Sequence, residues 1–210
     1  MIIDGKALAA GIRSEIARKV AMLTDRGVRP GLAVVLAGDD PASRVYVRNK
    51  VRACEETGVR SWLFEYPGSA SEIEILGRLA ALNSDRSVHG ILVQLPLPAQ
   101  MNATRLLETI APAKDVDGFH PMNAGRLSTG LPALTPCTPL GCVMLAKTVH
   151  RSLEGMHAVI EATERPFIIA AQESAQFRRS LDQIDGTPVA PFGYEQGADE
   201  SRKAAADHNN

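Results

Sequence analysis

An excess of charge of either sign is missing from this chain: 23 lysines and arginines face 24 aspartates and glutamates, leaving a net charge of −1. That balance offers no electrostatic footprint for nucleic acid or for an acidic membrane surface. Long apolar runs are missing too. None approaches the roughly 18 residues that a membrane-crossing helix needs, so no such helix is expected. The opening MIIDGKALAAGIRSE meets charge almost at once and lacks the basic-then-apolar layout of a signal peptide. Cysteines are few and odd in number: Cys54, Cys137 and Cys142 form no CxxC pair and read as free thiols in a reducing compartment, with the cytoplasm as the default. The five histidines are isolated from one another, so no metal site is expected and His120 reads as structural or surface. No internal repeat is visible.

What is present is a strand–helix alternation. Leu8, Ile12, Ile16, Val20 and Leu23 recur at helical spacing and predict an amphipathic helix ending near Gly27. After Pro30, LAVVLAG is short, apolar and branched, as a buried strand should be. Asp39, Asp40 and Pro41 supply start signals for a helix through about Thr57, which Gly58 stops. RSWLFEY reads as a second strand. SASEIEILGRLAALN, with Ile73, Ile75, Leu76, Leu79 and Leu82, reads as a helix, and VHGILVQLPLP as a third strand broken by Pro96 and Pro98. ATRLLETI at 103–110 predicts a short helix, residues 112–139 read as surface loops, and PLGCVMLAKTVH as a helix with Pro139 in its first turn. The fold class that follows is α/β, a parallel sheet with helices on both faces. Further on, GMHAVI and RPFIIAAQ read as strands and ESAQFRRSLDQI as a helix, while residues 185–210 are too polar to offset their ordering entropy and read as a disordered tail. The expected organisation is a domain over 1–150, the incomplete or divergent start of a second over 151–184, and that tail.

Parallel α/β sheets bind ligands beyond the carboxyl ends of their strands. Here those ends are AGDDPAS and VQLPLPAQ, so the helix carrying SRVYVRNK starts at the mouth of the crevice. On a helix, residues four apart share a face, so Tyr46 and Lys50 point the same way with Ser43 roughly above them. An amine in a partly dry pocket loses basicity because its charged form is poorly solvated, and can then pass a proton near neutral pH. The same spacing also occurs on plain solvated helices. Gln94 sits where the third strand ends, able to donate and accept at the crevice floor or to serve as an ordinary strand-end polar residue. In KDVDGFHP, Asp115 and Asp117 offer either a carboxylate that takes two parallel N–H bonds from an amino-pyrimidine ring or simple Asx-turn chemistry.

PASRVYVRNK, HGILVQLPLP, KDVDGFHPMNAGRL and PCTPLG, in that order and at that spacing, resemble the bifunctional methylenetetrahydrofolate dehydrogenase/cyclohydrolase family from Met1 to about Ile160. The resemblance implies an enzyme of one-carbon metabolism, feeding purine biosynthesis. It would perform NADP-linked oxidation of 5,10-methylenetetrahydrofolate, then hydrolysis of the methenyl form to 10-formyltetrahydrofolate. By the family's motifs Lys50 is the catalytic lysine, Tyr46 lies against the folate, Gln94 positions Lys50, and Asp117 holds the pterin-like ring. Ser43, Leu95 and Pro96 join them in lining the substrate cleft. A small-molecule folate partner and a homodimer are implied as well.

The resemblance stops after GMHAVI. Where the family carries a Gly-rich GRSxxVGxP turn for the cofactor phosphates, this chain reads EATERP, and Glu161 and Glu164 would repel a phosphate. Gly186, Gly193 and Gly197 form no GxGxxG. No nicotinamide-cofactor motif is recognisable, so the chain reads as a folate domain followed by an incomplete or absent Rossmann-type domain. The expectation is that the dehydrogenase step is lost while the cyclohydrolase survives; the alternative is an inactive folate-binding remnant. Short-chain dehydrogenases also write YxxxK, but place a Gly-rich nucleotide turn upstream of it, and the 45 residues before Tyr46 contain none.

Overall fold

The computed structural model describes residues 2–150, 152, 153 and 156. The elements run α1 (Gly5–Asp25), β1 (Gly31–Ala37), α2 (Pro41–Thr57), β2 (Arg60–Tyr66), α3 (Glu72–Ser84), β3 (Gly90–Val93), α4 (Ala103–Thr109), α5 (Pro121–Ser128) and α6 (Cys137–Lys147). The three strands form one parallel sheet in the order β2-β1-β3. The readings of residues 151–184 and 185–210, as well as the strands and helix expected from residue 155 onward, lie outside the described residues.

The central strand shows why LAVVLAG had to be apolar throughout. Successive strand residues face opposite sides of a sheet. Ala33, Val35 and Ala37 pack against Ile75, Leu79 and Leu82 of α3 and Leu106 of α4, while Val34 and Leu36 pack against Val47 and Val51 of α2. Helices therefore cover both faces, as expected of an α/β sheet. Burying a side chain such as Leu79 or Ile75 is worth about 2 kcal/mol relative to exposing it.

Helix ends follow from local chemistry. The Asp4, Asp40, Ser71 and Asn102 side chains cap α1, α2, α3 and α4, each accepting a backbone N–H of the first turn. Gly58, at φ 80°, ends α2 in the left-handed conformation that glycine adopts without strain.

Four expectations need correction. The segment 112–139 is not only loop: it holds α5, started by Pro121 and by the His120 ring, whose Nδ1 accepts the Met122 N–H at 3.0 Å. The third strand is shorter than VHGILVQLPLP, because the peptide after Gln94 turns away before either proline. Ile73 points outward at 79% exposure, since the buried stripe of α3 is Ile75, Leu79 and Leu82. On α1 only Val20 is buried, and Ile16 and Leu23 remain substantially exposed among the described residues.

Candidate functional site

The connections around the sheet leave a crevice where the carboxyl ends of the neighbouring strands β1 and β3 meet. β1 leads into α2 on one face, whereas β3 is reached from α3 on the other. At the end of β1, Gly38 has φ 92° and lies close to Pro98; a Cβ there would come within 3.5 Å of that ring. At the end of β3, the Gln94 N–H donates to the Val35 carbonyl at 2.9 Å, so the backbone keeps its sheet pairing up to the residue whose side chain enters the crevice.

α2 supplies the other wall. The Lys50 ammonium donates to Gln94 Oε1 at 3.1 Å. The Gln94 amide is itself held: its Nε2 donates to the Leu95 carbonyl at 2.7 Å, so Oε1 is the atom left for Lys50. The Leu95 carbonyl takes a second bond, at 3.3 Å, from the hydroxyl of Ser43, which is buried in the first turn of α2. Leu95–Pro96 is a cis peptide. One chain of hydrogen bonds thus joins Ser43, Leu95, Gln94 and Lys50. Tyr46 stands one helical turn before Lys50, 61% exposed, and Pro96 is also exposed.

The two carboxylates of DVDG part company. Asp115 is 2% exposed, and its Oδ2 accepts the His120 N–H at 2.8 Å and the Asn123 side-chain N–H at 2.9 Å. Asp117 makes no hydrogen bond among the described residues. Burial pushes its carboxyl above the usual carboxylate range; the Lys50 ammonium pulls it back, and the charge of Asp115 adds to the rise. The structure therefore brings Lys50, Gln94, Leu95 and Ser43 into bonding contact and sets Asp117 within electrostatic reach of the lysine.

Cys137 also lies beside the crevice, although its sequence context, PCTPLG, marks only a free thiol. The first turn of α6 sets its sulfur 3.8 Å from the Val116 carbonyl, and the residue remains accessible. Packing around the sulfur pushes the thiol up, the Asp117 carboxylate adds to this, and Lys50 opposes it. Among the described residues there is no cluster that could hold a metal ion.

The sequence profile of the tetrahydrofolate dehydrogenase/cyclohydrolase catalytic domain matches residues 3–117, more than half of the chain. The chain belongs to that family. Over 159 residues it is 56% identical to the bifunctional protein FolD of Paracidovorax citrulli and 57% identical to that of Cupriavidus necator, in each case over 76% of this chain. It spans 56% of the length of these curated relatives. Among solved structures, it resembles the bifunctional FolD methylenetetrahydrofolate dehydrogenase/cyclohydrolase of Campylobacter jejuni with a TM-score of 0.79 and 42% identity, over 86% of this chain and 64% of that one. The Trypanosoma brucei FolD dehydrogenase-cyclohydrolase, complexed with NADP cofactor and an inhibitor, gives 0.78 and 31% over 85% and 61%.

Two strand-to-helix turns of the sheet are poor seats for a phosphate. The turns at Gly38 and Gly68 both lead from a strand into a helix, but Asp40 caps the first helix, and Glu72 and Glu74 occupy the opening turn of the second. Acidic groups at a helix start disfavour a phosphate there.

Proposed function

We propose that this chain binds a tetrahydrofolate in the crevice between β1 and β3 and hydrolyses 5,10-methenyltetrahydrofolate to 10-formyltetrahydrofolate. The observation that carries the reading is the Lys50–Gln94 contact: an amine, fixed by an amide whose other end is anchored, stands at the strand ends beside a carboxylate left without a hydrogen bond. The carboxylate of Asp117 is suited to accept paired N–H donors of an amino-pyrimidine ring. Tyr46 offers an exposed aromatic face for the ring system, one turn from the amine. The turn of Leu95 and Pro96 forms the floor.

The chemistry needs proton traffic at one carbon. Water adds to the cationic methenyl carbon and loses one proton. The adduct then opens as the bond from that carbon to N5 breaks. The hydroxyl gives up its proton to leave a formyl group on N10, and N5 takes up a proton. Net, one water is consumed and one proton released. Lys50 is the group placed to move these protons, with Gln94 holding its nitrogen in line.

We extend the same reading to the oxidative half of the family's chemistry. Glu161 and Glu164 stand where a phosphate-binding turn would need small and basic residues, so NADP-linked oxidation by this chain is expected to be absent or severely impaired. A homodimer, as the family resemblance implies, is the expected assembly, checked by light scattering.

Following methenyltetrahydrofolate loss by absorbance, with Lys50→Gln alongside, tests the proposal. Lysine-dependent loss above background is expected. A Lys50→Gln protein as active as the parent would sink the assignment. A folded parent that binds folate but turns nothing over would make the chain a binding remnant.

A further inference from the structure

The 115–118 turn is held more firmly than a surface loop requires. Lys114 begins it: its ammonium donates to the carbonyls of Leu82, Asn83 and Asp85 at 3.0, 2.8 and 2.7 Å, tying the segment to the end of α3. The Lys114 carbonyl accepts the Ile91 N–H at 2.7 Å, and Asp115 pairs with Ile91 as a parallel bridge beside β3. Asn123, 4% exposed on α5, donates one side-chain N–H bond to Asp115 and another, at 2.8 Å, to the Pro112 carbonyl. A single buried amide thus clamps both the start of the segment and the carboxylate within it. At the far end, Gly118 has φ 70° and no room for a side chain against Leu134 and Pro136. Within this turn Asp115 is bonded and Gly118 is packed, while the Asp117 carboxylate makes no hydrogen bond among the described residues.

We infer that Asp115, clamped by Asn123, is a positioning residue for the folate reaction: it fixes the turn so that the Asp117 carboxylate is presented, without a protein donor, within reach of Lys50 and the incoming ring. The inference rests on the folate reading above. It explains why a short motif carries two carboxylates. One is consumed in building the turn, and the other is thereby kept for the ligand. It also accounts for α5, whose buried polar contact, Asn123, is the clamp.

The charge of Asp115 supplies a readout that a purely structural brace would lack. The charged groups that act on Asp117 are Lys50 from α2 and Asp115 from its own turn, and the Cys137 thiol of α6 in turn feels the Asp117 charge. Removing the Asp115 charge takes away one of the influences that raise Asp117, so its titration should move to lower pH.

The test uses the full chain as Asp115→Asn and, separately, Asn123→Ser, which keeps both carboxylates. Carbon NMR follows the Asp117 carboxyl titration without ligand, and steady-state hydrolysis of methenyltetrahydrofolate gives KM and kcat. We expect a lower Asp117 midpoint in Asp115→Asn. In both variants KM should rise about tenfold with kcat nearly unchanged, short of the roughly hundredfold cost of a full 1 Å misplacement. Folded variants with unchanged KM and an unmoved midpoint would overturn the inference. If Asp115→Asn does not fold, the KM of Asn123→Ser decides alone. If the parent neither binds nor turns over folate while the midpoint still moves, the folate reading fails and the brace stands.

Discussion

Gly118→Ala is the substitution whose cost can be worked most fully from the structure. Two terms add. At φ 70° an alanine occupies the left-handed region, at about 1–2 kcal/mol. The new methyl would also stand 2.8 Å from the Leu134 carbonyl oxygen and 2.9 Å from the nitrogen and Cδ of Pro136. Those are backbone and ring atoms that cannot swing aside, and overpacking of this kind costs about 1–3 kcal/mol. The total is roughly 3 kcal/mol, which for a chain of this size lowers Tm by about 6–12 °C. Gly130→Ala is the control: φ is 74°, but nothing lies within 4 Å of a Cβ there, so only the conformational term of about 1.5 kcal/mol applies and Tm should fall by about 3–6 °C. Thermal unfolding of both variants by circular dichroism is the assay. Equal shifts in the two, or a Gly118→Ala protein within 2 °C of the parent, would refute the steric account and, with it, the idea that the Asp117 turn and the Pro136 segment press on one another.

Two more expectations concern charge. Because the folded-state pKa of Asp117 is raised, its ionisation opposes folding, and that stability is present below the ordinary carboxylate range and lost as pH rises through the raised value. Asp117→Asn should therefore match or exceed the parent in Tm at pH 8, with the difference vanishing in acid, while folate affinity drops; a variant less stable than the parent at pH 8 would contradict the sign. Cys137 should react with iodoacetamide slowly at neutral pH and faster as pH rises, be shielded by bound folate, and react faster at pH 7 in Asp117→Asn, since that carboxylate holds the thiol up. Mass spectrometry of the peptide containing Cys137 reads all three, and labelling indifferent to folate would place the thiol outside the crevice.

The sheet was legible because its physics is local and redundant. Val34 and Val35 are both buried, on opposite faces, so β1 must be apolar at every position, and such a run between Pro30 and Gly38 has few other readings. α5 was not legible. In PMNAGRLS only Leu127 is a buried apolar residue; the helix is held by the His120 cap and by Asn123 reaching Asp115, which are contacts of the folded chain and not of a periodicity. The site shows the same division. The Tyr46–Lys50 pairing follows from helical spacing alone. Which of Asp115 and Asp117 built the turn and which was left free could not be read from DVDG, where both suit an Asx turn; burial and bonding distinguish them. Cys137 carries no local signal of its place, because its neighbours Asp117 and Lys50 lie far away in sequence.

The order of strands has a consequence for time. β1 pairs along one edge with β2 and along the other with β3, where Leu32 meets Gly90, far along the chain. The Lys50–Gln94 contact spans 44 residues and depends on that second pairing. Contacts of long range wait on the closure of the loops between them. α2 and β2 can assemble on β1 with the lysine in place but its glutamine absent, so helix and core signals rise before the amine has its partner. Formation of the Lys50–Gln94 contact during refolding is then a clock for the arrival of the third strand, and a nascent chain that ends before Val93 holds only its lysine half.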